Sequence, residues 1–290
     1  MHAQQKKWLY LLTLSLVWGS SFILMKKALI ALSPIQVGAL RMFIAALFLL
    51  SFGFKSLKQI QKKHYKYIVY TALLGTFFPS FLFAFAVNRI DSSIAAILNS
   101  LTPFYTLIFG VLLFSFPFRK NQFTGIIIGL IGTLLLIIKS ADINPSQNYW
   151  FSILIVIASI GYALNVNIVK KHLNDISALS IVTGNFLLLL VPAFFVLYAS
   201  NFFTDFQPIE TKLSALGYIA LLAVIGTGIA KIIYNKMVHI ASPIFASSVT
   251  YLIPVVAVFW GVLDGEELNG MQLLAAFIIL FGVYLLNRSK

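Results

Sequence analysis

Ten apolar segments, each near the length needed to cross a bilayer, run almost without pause through these 290 residues. They fall at roughly 8–30, 34–54, 67–88, 92–116, 122–139, 149–169, 178–199, 214–238, 243–263 and 270–287. A helix needs about 20 mostly apolar residues to span the hydrocarbon core. Within that core only helices and closed barrels satisfy their own backbone polar groups. Barrel strands alternate in polarity over about ten residues, whereas the run from Gly125 to Ile138 is apolar on every face. The pattern predicts an all-α integral membrane protein of ten transmembrane helices. The connections are short, the longest being about 55–66 and 200–213, and leave no room for a soluble domain.

Composition agrees: 60% of residues are hydrophobic and 10% charged, against about 45–50% and 25% in soluble domains. That excludes an ordinary soluble enzyme, a disordered chain or a fibrous protein. With no cysteine, the chain has neither disulfides nor thiolate metal sites. Lys6 and Lys7 precede the first apolar run without a small-residue cleavage site after it, so that run reads as a retained first helix.

The net charge of +13 has a simple distribution. Ten crossings put both termini on one side. If that side is the cytoplasm, fourteen of the 21 cations lie inside with a single acid, Asp175. The outer loops hold five cations and the other seven acids, and two cations, Arg41 and Lys231, fall within helices. Positive charge marks cytoplasmic loops, so both termini are expected to be cytoplasmic in a multi-pass protein of the cytoplasmic (inner) membrane. The Lys run at 55–66 then faces anionic membrane lipid, and no nucleic-acid partner is needed to explain it.

The chain also repeats itself. Residues 17–29 resemble 161–173 at an offset of 144, pairing Trp18 with Tyr162, Ser21 with Asn165 and Lys26-Lys27 with Lys170-Lys171. Ser33 then meets Ser177, and Arg41 meets Asn185. Further on the offset is 151, where Gly75-Thr76 meets Gly226-Thr227 and Pro103 meets Pro254; Gly132 meets Gly282 at 150. Five helices per half is an odd number, so the halves (1–140 and 141–290) enter the membrane in opposite directions. Inverted repeats of this kind are an architecture of secondary transporters and suit alternating access about a central site.

Trp18-Gly19-Ser20-Ser21-Phe22, Arg41 after Ser33-Pro34, the stretch Ala95 to Pro103 with its partner ending at Pro254, and Glu266-Glu267 occur in this order along the chain. In that order they resemble EamA-type members of the drug/metabolite transporter superfamily, over the whole length. The resemblance implies a carrier for small metabolites, amino acids or drugs, often an exporter. One departure is that Phe116-Pro117 stands where a symmetric first half would carry the acidic pair.

Polar groups inside the spans are the candidate chemistry, because intramembrane charges usually face a bundle interior or water. Arg41 lies about 10 Å into its helix at 1.5 Å per residue. It reads as an anchor for a substrate carboxylate or phosphate, as a partner for helix-end carbonyls, or as a side chain snorkelling to the outer interface. Lys231 reads as a cavity residue, or as a side chain snorkelling inward. Its repeat partner is Ser80, so that charge is not shared between the halves. Asn99, Pro103 and Thr106 share a face, with Thr250 and Pro254 as counterparts. Pro frees a backbone carbonyl, so these positions suit either a central cavity or a kink bonded to neighbouring helices. Trp18, Ser21, Tyr162 and Asn165 form a second symmetric set, with Asn167 on another face; the set suits either an amphipathic organic solute or hydrogen bonding between helices. Thr102, Asn185 and Tyr251 complete the expected substrate-binding residues. Gly125 and Gly129 form a GxxxG pair that reads as close helix packing.

All eight acids fall in loops or at helix ends, and the four His (2, 64, 172, 239) show no metal-ligand spacing. No phosphate-binding loop or zinc-protease motif occurs, so neither a cofactor nor a metal is expected. The expectation is a secondary or facilitative carrier of a small organic solute, monomeric or homodimeric. The alternatives are an integral-membrane enzyme or scaffold acting on lipid-linked substrates, for which no nucleophile or base cluster is visible, and a channel.

Overall fold

The structure, a computed structural model, describes residues 3–116, 120–143, 147–204 and 210–288. Arg119, Pro117 and Lys290, which entered the charge count and the repeat comparison, lie outside the described residues. Those residues form helices and turns without a strand.

The helices are α1 (Ala3–Ala28), α2 (Pro34–Gly53), α3 (Lys62–Val87), α4 (Ser92–Phe114), α5 (Lys120–Ile143), α6 (Ser152–His172), α7 (Ala178–Ala199), α8 (Glu210–Ile240), α9 (Pro243–Leu263) and α10 (Gly270–Arg288). Eight of these (all but α5 and α10), some with flanking turns, are long and apolar enough to cross a membrane; α5 and α10 contain shorter apolar stretches, Ile127–Leu136 and Gly270–Gly282. Large apolar side chains such as Leu16, Phe195 and Phe277 are over 60% exposed, as expected of helices whose outer faces meet lipid. The multi-pass helical membrane class is therefore shown. Boundaries moved in places: the connection read at 55–66 is largely 3₁₀ turns, and α8 starts at Glu210 rather than 214. His239, expected in a loop, is the penultimate residue of α8.

Local chemistry sets several starts. Ser33 caps α2, accepting from the Gln36 amide while the Gln36 side chain accepts from the Ser33 amide, with Pro34 at the first turn. Such a box satisfies two donors that a helix start leaves free. Ser177 caps α7, at the repeat-related position, by accepting from the Ser180 amide.

Four helices are irregular inside their spans. α4 pauses after Asn99 and restarts at Thr102, with Pro103 in its new first turn. In α9 a 3₁₀ stretch, Ser248–Tyr251, precedes a restart at Ile253, with Pro254 in that first turn. Proline cannot donate to the ladder and crowds the carbonyl four residues back. In α4, Thr102 Oγ1 donates to the Asn99 carbonyl at 2.8 Å. α3 and α8 each contain a π-helical turn, at Leu73–Phe77 and Val224–Ile229, built around Gly75-Thr76 and Gly226-Thr227.

The helices pair across the chain: α1 with α8 and α9, α6 with α3 and α4, α2 with α7, and α5 with α10. Exchanging 1–5 for 6–10 maps this set of pairs onto itself. The α5–α10 approach depends on glycine, since a Cβ on Gly282 would lie 2.6 Å from the Gly129 nitrogen. That is the close packing read from the GxxxG pair.

Candidate functional site

A cavity opens where α1, α2, α3, α4, α6, α7, α8 and α9 meet. It holds about 890 Å³ of atom-free space, mouth included. Ten of the thirteen expected residues line it: Trp18, Ser21, Arg41, Asn99, Thr102, Tyr162, Asn165, Asn185, Lys231 and Thr250. Pro103, Tyr251 and Pro254 do not. Both prolines are buried, and Tyr251 packs against the main apolar core. Thr106 and Asn167 also lie elsewhere, lining a separate apolar pocket between α4, α6 and the start of α9; the Asn167 amide donates there to the Thr106 carbonyl at 3.0 Å.

The π turns hold two of the cavity's side chains in place. A π turn moves the backbone ladder out of its usual step and is common at functional sites. Here the displaced carbonyls meet side chains. Trp18 Nε1 donates to the Gly226 carbonyl at 2.9 Å, and Lys231 Nζ donates to the Gly75 carbonyl at 2.5 Å. The glycines also allow close approach: a Cβ on Gly75 would be 2.5 Å from Asn165 Oδ1, and one on Gly226 would be 2.8 Å from Ser21 Oγ. Asn165 and Ser21 are themselves repeat partners. A Cβ on Gly161 would lie 2.6 Å from the Leu74 carbonyl oxygen.

Arg41 Nε donates to Thr227 Oγ1 at 2.6 Å, and Thr227 is held by its own bond to the Leu222 carbonyl at 3.1 Å. Asn185, the repeat partner of Arg41, meets Thr71 Oγ1 at 2.9 Å. Asn99 Oδ1 accepts from Thr102 Oγ1 at 3.2 Å and Ser159 Oγ at 3.4 Å. Both cations line the cavity, each bonded to a hydroxyl or backbone partner there.

Phe22, Met25, Phe83, Tyr234, Asn235, Val249 and Ile253 also line the cavity and were not expected. Phe83 and Tyr234 stand at the 151 offset from each other, as do Thr102 and Ile253, so the repeat carried over from Thr102 points to Ile253. The rings gather in pairs: Trp18–Tyr234 with centroids 5.2 Å apart and Phe83–Tyr162 at 5.8 Å.

An ionic cluster ties together the end of α1, the start of α4 and the α9–α10 link. Lys26 Nζ lies 2.8 Å from Glu266 Oε1 and 3.0 Å from Asp264 Oδ2, and Lys27 also pairs with Asp264. Glu266 accepts from the backbone amides of Ser92 and Ser93, both at 3.1 Å, and from their hydroxyls at 2.6 and 2.5 Å. Burial pushes the Glu266 carboxyl up, but the Lys26 pair and the serine bonds outweigh it and hold the group below the usual glutamate range. A smaller cluster joins Asp175 to Lys63 at 2.6 Å and to His64 Nε2 at 3.1 Å. The Lys63 bond, with His64 second, lowers the Asp175 carboxyl to about 2.

Apolar helices enclosing a polar cavity, with π turns and helix breaks converging on it, define a membrane transport protein. The chain belongs to the EamA-like transporter family, which matches residues 5–138 and again 149–288. It is a membrane transporter rather than an enzyme. Its similar proteins include the "Uncharacterized inner membrane transporter YedA" of Escherichia coli (strain K12), 28% identical over 97% of this chain and 90% of that protein. They also include the "Uncharacterized transporter YoaV" of Bacillus subtilis (strain 168), 24% identical over 97% and 96%, and the "Probable amino-acid metabolite efflux pump" of Salmonella typhimurium (strain LT2), 24% identical over 93% and 90%. A solved crystal structure superposes with a TM-score of 0.67 over 96% of this chain and 94% of its own, at 16% identity. That likeness shows the fold.

Proposed function

We propose that the chain is a carrier that moves a small organic metabolite, amino-acid-like or drug-like, across the cytoplasmic membrane by alternating access. In this reading residues 1–140 and 141–290 are two inverted five-helix repeats, all ten helices cross, and both termini are cytoplasmic. Export is the expected direction, in keeping with the efflux name of the Salmonella relative.

One observation carries the proposal. Twelve of the seventeen cavity residues are repeat partners of one another: Trp18/Tyr162, Ser21/Asn165, Arg41/Asn185, Phe83/Tyr234, Asn99/Thr250 and Thr102/Ile253. A cavity made from the same positions of both halves is what an exchange of two related conformations requires. The separate family matches to 5–138 and 149–288 and the self-mapping helix pairs support the same reading.

The test is counterflow in proteoliposomes. A carrier exchanges labelled for unlabelled solute saturably. Linear flux without exchange would count against alternating access and favour a pore.

A further inference from the structure

We propose that the cavity is built to bind organic anions, a carboxylate or phosphate joined to an aromatic or apolar body, in preference to zwitterions or cations. For the identity of the cargo the inference rests on the carrier reading. The charge preference is a property of the binding site itself.

Among the described residues two cations, Arg41 and Lys231, line the cavity, and no aspartate or glutamate does. The carboxylates with described partners are engaged elsewhere: Asp264 and Glu266 by Lys26 and Lys27, Asp91 by Gln147, and Asp175 by Lys63 and His64. The partners that Arg41 and Lys231 do have are neutral. Arg41 spends Nε on the Thr227 hydroxyl, and Lys231 spends one proton on the Gly75 carbonyl. Among the described residues the two terminal nitrogens of Arg41 have no protein partner.

Burying a charge is costly unless it is paired, and an apolar surround removes the water that would otherwise screen it. Neutral partners orient these groups without cancelling their charge. A solute anion would cancel it. The guanidinium fork matches a carboxylate or phosphate bidentately, and here its free edge is the terminal pair while Nε is tied down. A solute ammonium finds no carboxylate in the cavity and two like charges instead. The body of the solute is set by the rings: Trp18 against Tyr234 and Phe83 against Tyr162 leave a largely aromatic wall, which suits an apolar body with a few fixed polar contacts.

Indole-3-acetate, tryptophan and tryptamine share one ring system and carry net negative, zero and positive charge. The experiment measures thermal stabilisation of the purified full chain by each, with phenyl phosphate as a second anion. A ligand that binds the folded state raises the melting temperature. The expected order is indole-3-acetate above tryptophan, with tryptamine inactive. Arg41→Gln and Lys231→Gln should each weaken indole-3-acetate binding roughly ten- to a hundredfold, as for the loss of one charged hydrogen bond. Arg41→Lys should lose less. Should Arg41→Gln fail to fold, Lys231→Gln and the wild-type series still decide. Stabilisation by tryptamine or tryptophan equal to that by indole-3-acetate overturns the proposal, and so does the failure of both anions to bind. Counterflow separates the two layers. Anion binding without saturable exchange sustains the anion site and sinks the carrier, while saturable exchange of tryptamine does the opposite.

Discussion

Glu266→Gln is the most searching single change, because the carboxylate it alters joins elements from both ends of the chain. Its two oxygens each accept one amide and one hydroxyl from Ser92 and Ser93, and Oε1 also pairs with Lys26. Glutamine keeps the shape but turns one oxygen into a donor. Its remaining oxygen can serve one serine, and the other hydroxyl can rotate to accept. One buried backbone amide is then left facing an N–H, at about 1–3 kcal/mol. The Lys26 pair adds less, about 1 kcal/mol or below, since the Lys26 side chain is 31% exposed and solvent screens it. The cluster should therefore weaken by about 1–4 kcal/mol, or roughly 5- to 1,000-fold in an equilibrium it controls. Under the proposed topology this cluster closes the outer end of the cavity, so that equilibrium is outward opening. The cysteine-free sequence allows a clean assay. Met25→Cys places one thiol on the cavity wall, and a membrane-impermeant maleimide added to whole cells reports outward access. Glu266→Gln should speed labelling by at least about fivefold if opening limits it. An unchanged labelling rate in a protein with an altered melting temperature would refute the closure role, because the cluster would then be holding the fold alone.

Arg41→Ala should abolish most transport while Arg41→Lys retains part of it, read as initial counterflow rates; wild-type rates in a folded Arg41→Ala protein would reject the cavity role of the guanidinium. Asn99→Leu should change substrate affinity with expression intact, since Thr102 keeps its bond to the Asn99 carbonyl and the side-chain bond lost at Ser159 is a long one, 3.4 Å; the readout is the KM for exchange. Gly161→Ala should lower the melting temperature, by about 1–3 kcal/mol of overpacking, because the added methyl meets the Leu74 carbonyl, which is backbone and cannot rotate away. Stability should also fall in acid. Asp175 and Glu266 are held below their ordinary values of 3.8 and 4.5, so their contribution is whole above about those pH values and is lost as pH falls through the folded-state ones, toward about 2 for Asp175. A melting-temperature profile over that window should flatten in Asp175→Asn and Glu266→Gln, each relative to wild type.

Much of the architecture was legible because local chemistry carries it. Ser33 and Ser177 announce helix starts by the side chain a cap needs, and Pro103 and Pro254 announce breaks by the donor they lack. Most of the polar wall was legible for a related reason, since Asn, Arg and Lys in an apolar run have few other places to go; Asn235, near the end of α8, is the polar wall residue that was missed. What sequence reasoning missed is of two kinds. Phe22, Met25 and Val249 face the cavity, yet nothing in an apolar side chain distinguishes that wall from lipid. The π turns were also invisible, although Gly75-Thr76 and Gly226-Thr227 stood out as a repeat. A π turn is stabilised by what meets its carbonyls, here Lys231 and Trp18 from elsewhere in the chain, and no window around the turn contains that information. Pro103 and Pro254 shape the cavity without lining it: a break in a helix displaces its neighbours, and those neighbours, Thr102 and Ile253, form the wall.

The two ends of the proposed cycle are closed by unequal chemistry. Lys26 and Lys27 correspond in the repeat to Lys170 and Lys171, but only the first pair meets carboxylates. Lys170 donates to the Val238 and His239 carbonyls at 3.0 and 3.1 Å, and Lys171 to the Phe114 carbonyl at 3.1 Å, with the Phe114 ring 5.6 Å from its charge. A cation held by dipoles and a ring is held less firmly than one paired with buried charge. Two halves so closely related would otherwise give two access states of nearly equal energy. The acidic residues of the α9–α10 link, which have no counterpart after α4, break that equality. At the opposite end Asp175 also pairs, with Lys63 and His64, but its side chain is 50% exposed against 2% for Glu266 and solvent screens it. In an alternating-access carrier the state closed at Glu266 is then the lower one, and the solute's binding energy must lift it. That places a cost on outward opening which a cargo neutralising Arg41 and Lys231 is chemically suited to offset.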